Sequence, residues 1–248
     1  MPEFVADVGN SRMKWGEDDG GTGLSKSIAL PLDDESAWQR QIESWHVEPG
    51  LRWTLAGTHP AYRNLLAGWL KQRGDTVFII DDYRHLPLKV QVDRPEQVGI
   101  DRLLNAVAVL SRVPRGVPIV IVNAGSAVTV DVVDAAGAFR GGTIFPGFRL
   151  MAKALNDYTA KLPLIEDFHT DPPLPGTNTM GAIDAGIVHV IQGGIGRIVS
   201  RYTKSFGMPR VFVAGGDADL LANLAFEAEM AGPFLTLEGI RIAAKGLS

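Results

Sequence analysis

Asp7-Val8-Gly9-Asn10-Ser11-Arg12-Met13-Lys14 follows the apolar run Phe4-Val5-Ala6, and Asn123-Ala124-Gly125-Ser126-Ala127-Val128-Thr129-Val130-Asp131 follows Ile119-Val120-Ile121-Val122. They are two copies of one pattern half a chain apart. Each reads as a strand, an Asx-x-Gly turn, a small polar residue and a second apolar or β-branched run. A glycine in such a turn lets backbone N–H groups approach an anion, because no Cβ stands in the way. A carboxylate beside it can hold the cation that accompanies a phosphate. A nucleotide P-loop or a dinucleotide fingerprint needs a glycine turn that opens a helix. Here Asn10 to Trp15 is only strand length before the turn at Glu17 to Gly21, and Ala127 to Val133 is too β-branched for a favoured helix start. Both loops are therefore expected at the tips of β-hairpins. One copy alone would pass for an ordinary hairpin turn. The symmetry of two favours a pair of phosphate loops.

Composition sets the frame. The 248 residues suffice for one large domain or two small ones with sizeable cores. Apolar content of 46% with 21% charged residues is that of a globular chain. A net charge of −4 gives no general attraction to nucleic acid or to anionic membrane, so neither partner is expected. The absence of cysteine excludes disulfides, thiolate catalysis and cysteine-based zinc sites. No basic leader precedes the first strand and no uninterrupted apolar run reaches membrane-span length, which predicts a soluble cytoplasmic protein.

Along the first half the pattern predicts helices over 36–45, 61–73 and 101–110, strands over 51–56 and 76–80, and an extended connection over 87–95. Pro114, Gly116 and Pro118 mark the expected boundary between a domain 1–115 and a domain 116–248. The second half repeats the plan with a hairpin from Ile119 to about Gly137. A loop is expected over Gly141 to Gly147 and a helix from Phe148. A long helix is expected over 179–206, with an apolar stripe at Met180, Ile183, Ile187, Ile191, Ile195, Ile198 and Tyr202. Its glycines at 181, 186, 193, 194 and 196 suggest close approach by another backbone, or a break near Gly193-Gly194. Val211 to Val213 should be a strand running into Gly215-Gly216-Asp217-Ala218, a turn that opens a helix. The run Gly20 to Ser27 imitates a Walker loop, but its Gly–Lys spacing is wrong and no apolar strand leads into it. The five histidines lack metal-ligand spacing, and the five tryptophans read as packing residues.

Taken in order, Asp7-x-Gly9-Asn10-x-x-x-Lys14, Gly99-Ile100-Asp101-Arg102, Asn123-x-Gly125-Ser126-Ala127-x-Thr129-x-Asp131, Gly141-Gly142-x-Ile144-x-Pro146-Gly147, Asn178-Thr179 and Gly215-Gly216-Asp217-Ala218 resemble the type III pantothenate kinases. No single motif is specific; six in the right order cover nearly the whole chain. The resemblance implies an α/β fold of two ribonuclease-H-like domains related by duplication, with the nucleotide between them. That is the fold of acetate and sugar kinases, heat-shock ATPases and actin. It also implies transfer of the γ-phosphoryl of ATP to the primary hydroxyl of pantothenate, the first step toward coenzyme A.

Carried over by position, Asp7, Val8, Gly9, Asn10, Ser11, Arg12, Met13 and Lys14 would form the first phosphate loop, with Asp7 near magnesium. Gly125 and Ser126 would contact ATP. Gly99, Ile100, Asp101 and Arg102 would line the pantothenate site, with Asp101 as general base, and Thr179 would touch substrate from across a homodimer interface. Position 123 would attend a monovalent cation, K+ or NH4+. Three positions depart from the family pattern: Asn123 and Ser126 stand where it has Asp and Thr, and Val92 where many members have Tyr. The residues themselves leave other readings open. Asp101 also reads as a plain helix N-terminal charge, Lys14 as a solvated strand-end lysine, and Gly215 to Asp217 as a turn with an N-cap. Asn123 and Val92 keep two further functions in view: a non-catalytic accessory relative, and a kinase of the same fold acting on another small hydroxylated substrate.

Overall fold

The computed structural model describes residues 3–21 and 23–246, so Thr22 of the Walker-like run lies outside the described residues. Its contacts divide the chain into Met1–Arg112 with Phe234–Ser248, and Val113–Pro233.

The first unit begins with β1 (Phe4–Val8), β2 (Met13–Asp18) and β3 (Leu24–Leu30), continues through α1 (Glu35–Trp45), β4 (Arg52–Gly57), α2 (Pro60–Gln72) and β5 (Thr76–Ile79), and reaches α3 (Ile100–Leu110) after the two-residue β6 (Lys89–Val90). The sheet order is β3-β2-β1-β4-β5. β1, β2 and β3 are antiparallel neighbours, and β4 and β5 run parallel to β1. Central β1 is buried along its whole length, which is why it reads as an unbroken apolar run interrupted only by Asp7. Local signals fix the helix starts: the Asp34 carboxylate accepts from Ala37 N–H at 2.9 Å, and Pro60 opens α2 where its missing N–H costs nothing. The tryptophans form the core as expected. Trp15, Trp38 and Trp53 are fully buried, and Trp53 lies 4.7 Å from Phe4 and 5.2 Å from Trp15 between ring centroids. The Walker-like run is a turn followed by β3, with the Asp19 carboxylate accepting from Gly21 N–H at 2.7 Å and Gly23 N–H at 3.1 Å.

The second unit contains β7 (Ile119–Ala124), β8 (Ala127–Val133), β9 (Ala138–Pro146), α4 (Phe148–Asp157), α5 (Thr179–Phe206), β10 (Arg210–Ala214) and β11 (Glu229–Gly232). Within the unit these strands run β9-β8-β7-β10-β11, again three antiparallel strands followed by two parallel ones. The two units thus share one strand plan, the ribonuclease-H-like one, and the duplication read from the hairpins extends to whole sheets. The stretch Gly141 to Gly147 departs from expectation: through Pro146 it is strand β9, not loop. Gly142 sits opposite Asp131, and a Cβ there would lie 2.2 Å from the Asp131 carboxylate, so a glycine that reads as a turn marks a close approach within the sheet. After Gly215 the chain opens only a 3-10 turn, Ala218–Leu221.

α5 runs unbroken past Gly193-Gly194, and among the described residues nothing of this chain lies within 4 Å of a Cβ built at 186, 193 or 194. Those three glycines are therefore not explained by packing within the chain. By length and composition alone α5 could cross a membrane, a test that the core helix of a globular domain also passes. Its stripe Ile183, Ile187, Ile191 and Ile195 is buried in this unit's own core, against the valines of β7 and β8.

The last helix, α6 (Leu235–Ala244), belongs to the first unit and packs on α3. The expected boundary at 115/116 lies close to the first crossover, whereas residues 234–248 group with the first unit. The cause is an intimate crossing. Thr236 Oγ1 donates to the buried Asn105 Oδ1 at 2.9 Å, and a Cβ at Gly239 would lie 2.1 Å from the Leu104 carbonyl oxygen. Gly239→Ala is expected to lower the unfolding free energy by about 1–3 kcal/mol through overpacking. Gly68→Ala, on α2 with nothing within 4 Å of its Cβ, should instead add up to about 1 kcal/mol of helix propensity. Urea melts of both variants check this, and a Gly239→Ala chain as stable as the parent would contradict the crossing.

Candidate active site

In the first unit the chemistry gathers at the carboxyl end of β1. Asp7 and Lys14 are register partners across β1 and β2, and Gly9 to Arg12 form the hairpin tip, closed by Gly9 N–H donating to the Arg12 carbonyl at 3.1 Å. Asn10, Ser11 and Arg12 are exposed, so the tip presents its polar groups to solvent, whereas Asp7 is buried. Burial pushes the Asp7 carboxyl up to about 7; Lys14 opposes that shift and the Asp101 carboxylate adds to it.

Asp101 is the second residue of α3, behind Gly99 at the N-cap. Its carboxyl accepts from the backbone N–H groups of Asp101 and Arg102, which lower its pKa together with the Arg102 charge; burial outweighs them and raises it. The helix N-terminus accounts for where the carboxylate sits, and the raised pKa makes it a better proton acceptor than a solvated aspartate. Beside it, Asp81, Asp82, Tyr83, Arg84, Pro95, Glu96, Val98 and Ile100 line a cavity of about 400 Å³. The sequence reading missed this cavity; its one signal was the Asp81-Asp82 doublet that ends the β5 run. Val92 is half-buried in the connection that leads there.

In the second unit Gly125 and Ser126 are the two-residue tip between β7 and β8, with Gly125 N–H donating to the Ala127 carbonyl at 3.1 Å. Gly147 N–H donates to the Ser126 carbonyl at 3.0 Å and Asp217 N–H to the Ala124 carbonyl at 3.1 Å, so the tip is tied to both the β9–α4 and β10 turns. Gly215, at φ 102°, crosses so near that a Cβ would lie 2.0 Å from the Ala124 carbonyl oxygen. Asp217 makes no side-chain cap; its carboxylate pairs with Arg149 instead. Asn123 faces Thr129 across the β7/β8 ladder, and the buried Thr129 hydroxyl has no hydrogen-bond partner. Thr179 is exposed at the first turn of α5, behind Asn178, whose side chain accepts from Gly181 N–H at 2.9 Å. Asp7, Lys14 and the 99–102 turn thus belong to the first unit, and Asn123, the Gly125 tip and Thr179 to the second.

A divalent ion fits the donors at β1. Among the described residues no group of three or more His, Asp or Glu forms a ready cage. Magnesium, however, commonly takes only one or two protein carboxylates and completes its shell with phosphate and water, and Asp7 is placed to be one. The orphaned Thr129 hydroxyl and the carboxamide of its register partner Asn123 are neutral oxygen donors.

Two ribonuclease-H-like units, each with a glycine hairpin at the head of its central strand, define the class of duplicated kinases and ATPases that includes sugar kinases and actin. Solved structures agree. A Sinorhizobium meliloti protein assigned as a 2-dehydro-3-deoxygalactonokinase matches with TM-score 0.64, covering 98% of both chains at 12% identity. The Clostridium difficile activator of 2-hydroxyisocaproyl-CoA dehydratase matches with TM-score 0.54, covering 100% of this chain and 96% of its own at 13% identity. At such identity they speak for the fold alone. The type III pantothenate kinase profile matches residues 3–201, and the chain belongs to that family. The type III pantothenate kinase of Rubrobacter xylanophilus is 35% identical over 195 residues, 76% of this chain and 70% of that one. Those of Desulfosudis oleivorans and a Geobacillus species are 36% and 38% identical over 156 residues, 62% of this chain. Those two alignments span 60% and 59% of the relatives' lengths.

The raised Asp7 pKa has a definite sign. Between about pH 4 and pH 7 the folded chain holds a proton that the unfolded chain, with its ordinary carboxyl near 3.8, has released. Proton uptake by the folded state alone means that this group's contribution is fully present below pH 4 and is lost as pH rises, by at most about 1.4 kcal/mol per pH unit. Asp7→Asn should remove that slope. Urea melts in EDTA at pH 5 and pH 8 should show the variant gaining on the parent at pH 8. An unchanged difference would mean that Asp7 ionises like a surface aspartate.

Proposed function

We propose that this chain phosphorylates pantothenate with ATP, yielding 4′-phosphopantothenate and ADP at the entry to coenzyme A synthesis. The observation that carries the reading is the pair of carboxylates raised by burial, Asp7 at the end of β1 and Asp101 at the head of α3, in a chain of this family.

In this reading the hairpin Asp7 to Lys14 and the Gly125-Ser126 tip hold the ATP phosphates through backbone N–H groups and the Lys14 ammonium. Magnesium, bound through Asp7 and phosphate oxygens, would neutralise charge on the transferred group. Gly99, Ile100 and Arg102 line the pantothenate site. Asp101 accepts the proton of the primary hydroxyl as its oxygen bonds to the γ-phosphorus and the bond to the β-phosphate oxygen breaks, releasing ADP. The raised Asp101 pKa suits that task. Asn123 and Thr129 are the proposed seat of K+ or NH4+, with a neutral carboxamide where the family pattern has a carboxylate. The enzyme is proposed to be cytoplasmic and dimeric, with Thr179 reaching the pantothenate of the partner subunit. The bare glycines of α5 and its exposed Met180 and Val190 favour a second copy on that helix.

Coupled ADP release tests the reading with and without pantothenate, in potassium and in sodium buffer. Asp101→Asn should lower kcat by about two to four orders of magnitude, the range for losing a general base, with ATP affinity little changed. Asn123→Asp should sharpen the preference for potassium, because it adds a carboxylate to a hard-cation site. Pantothenate-independent ATP binding without turnover would favour the accessory reading instead, which the neutral Asn123 already permits.

Gly193→Ala tests the dimer. Within one chain it should add up to about 1 kcal/mol of helix propensity. If a second copy packs there, sedimentation should show weaker association despite the more stable fold. Association unchanged by the added methyl would remove α5 from the interface.

A further inference from the structure

Residues 166–178 form neither helix nor strand, yet the segment is pinned across α5 at successive points. Its first tie is the strongest. Asp184 on α5 is buried, and its carboxylate accepts from His169 backbone N–H at 3.3 Å and meets His169 Nδ1 at 2.7 Å. Further along, Gln192 Nε2 donates to the Thr170 carbonyl at 3.1 Å and the Leu220 carbonyl at 3.0 Å, and His189 Nε2 lies 3.1 Å from the Pro172 carbonyl. Near the helix start Gly176 lies so close that a Cβ would stand 2.5 Å from Ala182 N. Two residues later the strap ends in Asn178, which caps α5 and delivers Thr179.

The energetics explain why the first tie matters. A buried carboxylate is costly unless paired and hydrogen-bonded, and among the described residues His169 is the partner of the Asp184 side chain. The imidazole, by contrast, is 80% exposed and contributes little to packing. The carboxylate therefore holds the ring, and the ring holds the strap. With Nδ1 fixed as a donor to Asp184, the strap crosses α5 in one register and enters the Asn178-Thr179 corner at one angle.

We propose that Asp184 and His169 are positioning residues for pantothenate, locking the strap so that Thr179 is presented in a single orientation. This rests on Thr179 as a pantothenate contact, and the variants are chosen to separate the two claims. His169→Ala, at an exposed side chain, should leave the melting temperature nearly unchanged. It should raise the pantothenate KM about fivefold to twentyfold, on the scale of part of one lost charge-assisted hydrogen bond, with kcat and the ATP KM within about a factor of two. His169→Asn should restore the parent value, because Asn Nδ2 occupies the place of His Nδ1 and donates to the same carboxylate. Hydrogen exchange reads the lock without any turnover: the Gly181 amide, which donates to Asn178, should exchange faster in His169→Ala and normally in His169→Asn. Thr179→Ala is measured alongside. If Thr179→Ala raises the pantothenate KM and His169→Ala does not, the positioning role is overturned while the substrate contact stands. If Thr179→Ala leaves that KM unchanged, the contact itself fails and the inference with it. Unchanged Gly181 exchange in His169→Ala overturns the lock directly.

Discussion

One carboxylate in an otherwise apolar strand is the constraint on which the site depends. Asp7 stands near the end of β1, walled by β2 and β4, and its burial raises its pKa to about 7. A strand built for stability alone would carry valine there, since burying an aspartate gains nothing without a compensating partner. Lys14 across the ladder supplies part of that compensation, and Asp101 at the head of α3 works against it. Kinases of this kind obtain their rate mainly from positioning and charge neutralisation, and such a pre-set imbalance is what a metal-bound phosphate would relieve.

Helix packing keeps that corner rigid. α6 lies on α3 with its Gly239 against the Leu104 carbonyl, and the Thr236–Asn105 hydrogen bond is buried at the same crossing. α3 is therefore held along its length and Asp101 is fixed at its first turn. In the second unit the Gly125 tip is held comparably, by backbone hydrogen bonds from Gly147 and Asp217. In the proposed role that anchored tip would meet phosphate without first being ordered, which lowers the cost of binding.

Much of this was legible in the chain. The two Asx-x-Gly patterns gave the hairpins, because glycine between β-branched runs has few other uses, and the isoleucine spacing of α5 gave that helix from Thr179 to Phe206. Glycine also misled. Gly141-Gly142 reads as loop, yet it lies in β9, since the need for a missing Cβ opposite Asp131 is a tertiary fact. The return of α6 to the first unit was likewise invisible, being decided by contacts some 130 residues apart, as between Thr236 and Asn105. Residue types announced Asp7, Lys14 and Asp101, but not the burial that raises the pKa of the two aspartates. The Asp184–His169 tie had no sequence signal either: fifteen residues separate its partners, across a segment without periodicity.

The central claim is that ATP's terminal phosphoryl group goes to the hydroxyl of pantothenate rather than to water or to no acceptor. Phosphorus NMR of the full chain with ATP, magnesium and pantothenate in potassium buffer measures this directly. The account predicts a phosphomonoester resonance growing in step with ADP and absent when pantothenate is omitted. ATP left intact, or inorganic phosphate appearing without the monoester, would contradict it.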